Sequence, residues 1–238
     1  MTMLSSRTPE PHAGFQQPSE SEGVERTFCF VDLAGFTALT ETHGDEEAAD
    51  LLLRFERAVT EALGDDATLV DTVGDAAFVV ATEPANALSF LTRLWTRALG
   101  EPHFPALRAG LHHGEAVQRG ERWFGTAVNL AARVAAQARG EQVLATAKVA
   151  VAARAAGIEV TSLGEFRLRN LRDPVDLFCL ALVAPDSEGS LDPVCRMRVS
   201  PNTAVGQLKF AGQTFWFCSL SCIEAFAAEP QAFVSERT

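Results

Sequence analysis

TFCFVDLAGFTAL, residues 27–39, is an apolar strand-like run that reaches Asp32 and turns through Ala34 and Gly35 into a helix whose first turn carries Phe36 and Thr37. That order suits a phosphate group. Glycine lets the backbone approach a ligand closely, and the first amides of a helix, at the positive end of its dipole, have no intrahelical acceptors. Asp32, at the edge of such a place, can hold a divalent metal. A second carboxylate comes from TLVDTVGDAAFVV, residues 68–80, where two β-rich runs flank a Gly74-Asp75 hairpin signal. If that hairpin lies beside the first strand, Asp32 and Asp75 converge. Two carboxylates with triphosphate oxygens then make a site for two Mg²⁺ or Mn²⁺ ions, which can activate an attacking oxygen and stabilise a leaving one. Taken singly, Asp32 reads equally well as a helix cap and Asp75 as a turn residue.

Outward from this stretch, short apolar runs alternate with longer helical ones, which predicts a mixed α+β domain. Strands are expected over 27–32, 67–73, 76–82, 106–117, 141–145, 159–168 and 175–183, and helices over 36–42, 45–63, 84–99, 126–139 and 146–156, with Asp45 as N-cap of the second. The 20 basic and 31 acidic side chains leave a net charge of −11, which repels a polyanion at long range and argues against nucleic acid as partner. A small nucleotide stays compatible with that field, because a metal or a helix terminus overcomes it locally. No apolar run is long enough for a membrane helix, and the first residues lack the apolar core of a secretory signal, so a cytoplasmic protein is expected. The Pro-, Ser- and Glu-rich start predicts a flexible tail over 1–24, and APDSEGS (184–190) predicts a linker over 185–190 between a domain at 25–184 and a small unit at 191–238.

WFGTAVNLAARVAAQARG, residues 123–140, opens on a Gly-Thr helix start and ends at Gly140, a plausible stop. Asn129 and Arg133 are four apart and share a helix face. Asn can hold a ribose while Arg neutralises charge developing on phosphorus oxygens, although an alanine-rich packing helix with two polar surface residues fits the same segment. FVDLAGFT, the TVGD hairpin, LRAGLHHGEAV and WFGTAVNLAARV stand in the order and spacing of class III adenylate and guanylate cyclase domains, which residues 27–182 resemble. The resemblance implies a ferredoxin-like βαββαβ core. It also implies conversion of a nucleoside triphosphate (ATP or GTP) into a 3′,5′-cyclic monophosphate and pyrophosphate, at sites on a head-to-tail homodimer interface. One subunit would supply Asp32 and Asp75 for metal, with Ala34, Gly35, Phe36 and Thr37 around the phosphates; the other would supply Asn129 and Arg133. Arg169 falls where the family usually has a triphosphate-binding lysine. The base-selecting positions correspond to Asp71 and Arg122, a pair that matches neither the usual adenine nor the usual guanine set.

His103, His112 and His113 invite a metal cluster, but adjacent residues of a strand point to opposite faces, so structural roles are expected. Cys29 and Cys179 sit inside apolar strand runs as small hydrophobes. The other three thiols, Cys195, Cys218 and Cys222, lie in a segment too short for a large core, which suggests metal stapling; packing against Phe215, Trp216, Phe217 and Phe226 is the alternative. Ser221 and Glu224 are spaced as a capping box, and an earlier helix start would put Cys218 and Cys222 on one side. DPVCRM, TFWFCS and the spaced Cys and Phe resemble the YHS domain, a module associated with metal handling, with Arg196 in place of its usual glycine. No histidine follows His113, so Asp192, Met197, water or a partner chain is expected as fourth ligand, and three soft sulfurs favour Zn²⁺ or Cu⁺. The fusion suggests a cyclase regulated by metal or redox state; the competing expectation is a non-catalytic nucleotide-binding and dimerisation module joined to a metal-binding YHS domain.

Overall fold

The computed structural model describes residues 23–101, 103–183 and 190–234. The expected tail over 1–24 and linker over 185–190 lie outside the described residues, apart from Gly23, Val24 and Ser190. The first strand, β1 (Val24–Leu33), is buried almost continuously from Thr27 onward because both of its faces are covered. Cys29, Val31 and Leu33 enter the main core, while Phe28 enters a second cluster on the opposite face. That two-sided burial explains an apolar run without strict alternation.

After β1 come α1 (Phe36–His43) and α2 (Asp45–Ala62), separated by Gly44 at φ 88°. Gly44, not Asp45, is the N-cap of α2; Asp45 falls in the first turn with Glu46 and Glu47, where acidic side chains meet the positive end of the helix. The hairpin β2 (Ala67–Val73) and β3 (Ala76–Ala81) turns at Gly74, whose φ of 60° suits glycine. Then follow α3 (Pro84–Gly100), β4 (Leu107–Arg119), β5 (Arg122–Phe124), α4 (Thr126–Ala135), β6 (Val143–Ala145), α5 (Ala147–Ala155), β7 (Glu159–Phe166) and β8 (Val175–Ala181). The strand order is β2-β3-β1-β4-β6-β8-β7, with β5 folded back on β4. Its first four strands, with helices after β1 and β3, are the expected ferredoxin-like βαββαβ core. The short β5 is not foreseen from the sequence, and α4 stops at Ala135 rather than 139, its end tightened by bonds from Gln137 to Val134 and from Ala138 to Ala135.

Helix α4 lies so close on β4 that a Cβ on Gly110 would stand 2.0 Å from the Ala135 nitrogen. Backbone cannot yield as a side chain can. Gly110→Ala is therefore expected to cost about 3 kcal/mol through overpacking, and to lower the thermal midpoint by roughly 10 °C. A melting curve on the purified variant checks this; an unchanged midpoint would contradict the close seat of α4.

The C-terminal segment pairs β9 (Ser190–Leu191) with β10 (Arg198–Val199), then forms a hairpin of β11 (Gly206–Phe210) and β12 (Gln213–Phe217), and ends in α6 (Leu220–Ala228) and α7 (Pro230–Val234). Phe226 on α6 meets the rings of Phe210, Phe215, Phe217 and Phe233. Ser219, not Ser221, caps α6, its Oγ accepting from the Cys222 amide at 3.1 Å. This unit is docked on the larger one. The Ala106 and Arg198 amides bond the Arg196 and Phe104 carbonyls, Arg198 pairs with Glu141 at 2.7 Å, and Val194, Cys195 and Met197 are buried in the main core.

Candidate functional site

Asp32 lies one residue from the end of β1, opposite Ala76 of β3 and Arg108 of β4. The register brings the hairpin tip to it: the Leu33 amide donates to the Asp75 carbonyl at 3.2 Å. Arg108 holds Asp32 with both arms of its fork, Nε to Oδ1 at 2.5 Å and Nη2 to Oδ2 at 2.9 Å. Burial nevertheless pushes the Asp32 carboxyl above its ordinary range; Arg108 opposes that shift and the nearby Asp75 charge adds to it. Two anionic groups this close favour a cation between them, and a carboxylate bonded to one guanidinium keeps lone pairs free for a metal. Residues Asp32 and Asp75 thus fit a magnesium-class ion. Arg108 was not singled out in the sequence, though its place opposite Asp32 follows once β1 and β4 pair antiparallel.

Beyond Asp32, Gly35 is the N-cap of α1 at φ 76°, ψ 19°, with no side-chain cap, so the helix presents its first amides, around Phe36 and Thr37, to whatever lies outside. Ala34 and Gly35 border a cleft of about 550 Å³ that Arg108, Arg139 and Arg196 also line. Three arginine side chains thus line one cleft in a chain of net charge −11, with Arg108 already paired to Asp32.

The other expected residues do not join that cluster within one chain. Asn129 is exposed on α4, and Arg133, one turn on, reaches back to the Asn129 carbonyl at 3.3 Å. Arg169 is exposed in the loop after β7, four strands from β1, about 19 Å away at the usual strand spacing. Asp71 is exposed on β2, just past a register shift, and Arg122 is exposed at the start of β5. Among the described residues, no hydrogen bond or ion pair joins these side chains to Asp32 or Asp75.

His112 and His113 do face apart, His112 Nδ1 meeting Thr146 Oγ1 at 2.8 Å and His113 Nδ1 meeting Thr27 Oγ1 at 2.9 Å. Burial, helped by His113 and Lys148, lowers the His112 pKa to about 4 from 6.5. A histidine held neutral in the fold costs stability once the unfolded chain can take up the proton, so stability should fall as pH drops from about 6.5 toward 4. Denaturant titrations across that window should show a shallower fall for His112→Gln than for wild type; identical slopes would count against the assignment.

The thiols of Cys195, Cys218 and Cys222 come together, with Cys195 and Cys222 Sγ at 3.3 Å and 3.7 Å from Cys218 Sγ. The fourth donor beside them is His43, at the end of α1. Its Nε2 lies 3.5 Å from Cys218 Sγ and 3.6 Å from Cys222 Sγ, and all four donor atoms lie within 4.8 Å of one another. This differs from the expectation of Asp192, Met197, water or a partner chain as fourth ligand. Asp192 is buried, and its oxygens accept instead from the amides of Val194, Cys195 and Cys218, which braces the loops bearing the thiols. Hydrogen bonds from Cys195 and Cys218 lower the pKa of the Cys222 thiol, whereas hydrogen bonds to Cys218 and Cys222 raise that of Cys195. His43 is far from the cysteines in sequence, and its local signal is that of a histidine in the last turn of a short helix, which alone says little.

Residues 20–181 match the pattern of the adenylate and guanylate cyclase catalytic domain, and residues 191–237 match that of the YHS domain. The chain belongs to the adenylate and guanylate cyclase catalytic domain family and carries a C-terminal YHS domain. It is 36% identical over 156 residues to the pH-sensitive adenylate cyclase MT1302 of Mycobacterium tuberculosis, covering 64% of this chain and 39% of that protein. It is 34% identical over 132 residues to an adenylate cyclase of Streptomyces griseus, covering 54% and 33%. The chain thus spans between a third and two fifths of the length of these two relatives. An adenylate cyclase structure from Trypanosoma brucei superposes at a TM-score of 0.57 with 25% identity, covering 66% of this chain and 87% of that one. The adenylyl cyclase CyaB of P. aeruginosa, at 0.56 and 20% identity over 71% of this chain and 98% of that one, has the same fold. No helix among the described residues is long and apolar enough to cross a membrane.

Proposed function

We propose that the chain is a nucleotide cyclase, in which the 3′-hydroxyl of a nucleoside triphosphate attacks the α-phosphorus, the hydroxyl proton is lost and pyrophosphate leaves. The observation that carries this is the meeting of Asp32 and Asp75 beside the glycine-capped start of α1 in a cyclase-family fold. Asp32 and Asp75 would hold two Mg²⁺ or Mn²⁺ ions, which when bound would neutralise triphosphate charge and make the attacking hydroxyl more acidic. The Ala34–Thr37 backbone cradles phosphate oxygens. Asn129 orients the ribose and Arg133 neutralises charge that grows on the α-phosphoryl oxygens. As the family resemblance implies, a head-to-tail homodimer completes each site, one subunit giving the carboxylates and the other Asn129 and Arg133, with Asp71, Arg122 and Arg169 turned toward the nucleotide across the interface. The names of the relatives favour ATP over GTP.

The division into a catalytic unit over 25–184 and a YHS module over 191–238 belongs to this reading, as do a transition metal, Zn²⁺ or Cu⁺, on the three thiols and control of turnover by it. A triphosphate substrate and five free thiols suit the cytoplasm. The test is to incubate the purified chain with ATP and, separately, GTP in Mg²⁺ or Mn²⁺ and measure cyclic nucleotide and pyrophosphate. Equimolar formation of the two is expected. Triphosphate binding without either product would leave a nucleotide-binding and dimerisation module in its place.

A further inference from the structure

We propose that His43, Cys195, Cys218 and Cys222 form one tetrahedral zinc site that bridges the cyclase domain and the YHS module, so that the metal ties the C-terminal module to the helix behind the phosphate loop. This deepens the reading above, on which the three thiols hold a transition metal.

The donor geometry carries the inference. With Zn–S near 2.3 Å and Zn–N near 2.05 Å, a regular tetrahedron has S···S edges of about 3.8 Å and S···N edges of about 3.55 Å. The observed S···N separations are 3.5 and 3.6 Å, and the S···S separations are 3.3 and 3.7 Å. Of these four edges only Cys195–Cys218 would need to lengthen, and all four donor atoms lie within 4.8 Å of one another. Three sulfurs and an imidazole in a tetrahedron suit Zn²⁺ among common divalent ions.

The surroundings are built for it. His43 Nδ1 lies 3.2 Å from Glu47 Oε2, an outer carboxylate that orients the ring so that Nε2 faces the sulfurs, and the His43 side chain is only 8% exposed. Asp192 takes the amides of Cys195 and Cys218, and Ser219 takes that of Cys222, so each cysteine backbone is held before any metal arrives.

The site also sits where it can act on the phosphate loop. Helix α1 has eight residues, about 12 Å at 1.5 Å per residue, with Gly35 capping its start and His43 ending it. Next to Cys195, Arg196 lies so close to Gly35 that a Cβ there would stand 2.7 Å from its Cγ. A metal joined to both Cys195 and His43 thereby fixes α1 at its far end and backs the loop at its near end. Zinc occupancy holds the phosphate loop in the described conformation, and its removal loosens residues 35–44.

The test uses the whole chain, reduced, with Zn²⁺ alone and Co²⁺ alone as probes. One zinc per chain is expected, with intense thiolate charge-transfer and tetrahedral bands for cobalt, and slower amide exchange in 35–44 when zinc is added. His43→Ala should weaken zinc at least tenfold, alter the cobalt bands and abolish the exchange effect, while His43→Cys, a four-thiolate set, should retain tight binding. If His43→Ala binds zinc as wild type does, with an unchanged cobalt spectrum, the bridging site is overturned and only the thiol site within the YHS module stands. If the reduced wild type takes up neither ion, the bridging site and the reading beneath it fall together.

Discussion

Asp75→Ala is expected to reduce cyclic nucleotide formation by roughly 10³-fold while leaving the fold intact. The link between the hairpin tip and the loop is made by the Asp75 main chain, whose carbonyl accepts from the Leu33 amide, so truncating the side chain removes a carboxylate without removing that contact. What is lost is one of the two anionic groups that hold the ions. Asp32→Ala should lose at least as much activity, but it also strips Arg108 of the partner it grips with two bonds, leaving a half-buried guanidinium uncompensated. Lower stability is therefore expected for Asp32→Ala and not for Asp75→Ala. Circular dichroism melts beside product assays separate the two; a melt unchanged by both variants with activity retained would contradict the assignment.

Arg133→Ala is the second large loss expected, about 10²- to 10³-fold in turnover with little change in triphosphate affinity, because charge on the α-phosphoryl oxygens grows only as the new bond forms. Arg133 is partly exposed and donates to the Asn129 carbonyl one turn back, so its removal should not disturb the core. A fall confined to affinity would instead make Arg133 a ground-state phosphate ligand. A half-site on the outside of α4 and another at the end of β1 have a further consequence: neither variant damages the half-site that the other has lost.

The core was legible where local patterns agree with one another. The run before Asp32, the Gly74-Asp75 turn and the helical spacing after Pro84 each specify an element whose bounds the structure reproduces to within a residue or three. Capping was less legible. Asp45 and Ser221 are good caps by residue type, but Gly44 at φ 88° already ends the turn before α2, and Ser219 lies closer to the strand that feeds α6. The register-dependent features were hidden for a plainer reason: Arg108 meets Asp32 only through strand pairing across 76 residues, and His43 meets Cys218 only through docking of the two units across 175. Sequence spacing reports neighbours along a helix or strand and says nothing of such contacts. The division of Asp32 and Asp75 from Asn129 and Arg133 between two subunits came from the family resemblance, whereas the place of each pair in the fold comes from strand pairing and from the seat of α4 on β4.

That separation makes mixing the most direct test of a shared site. Asp75→Ala and Arg133→Ala chains, each nearly inactive alone, are combined in equal amounts under conditions that let subunits exchange. Half of the resulting dimers should be mixed, each with one intact site and one doubly damaged, so cyclic nucleotide formation should recover to about a quarter of the wild-type rate. A mixture no more active than the two chains assayed separately, with exchange verified, would contradict an active site built across two copies of this chain.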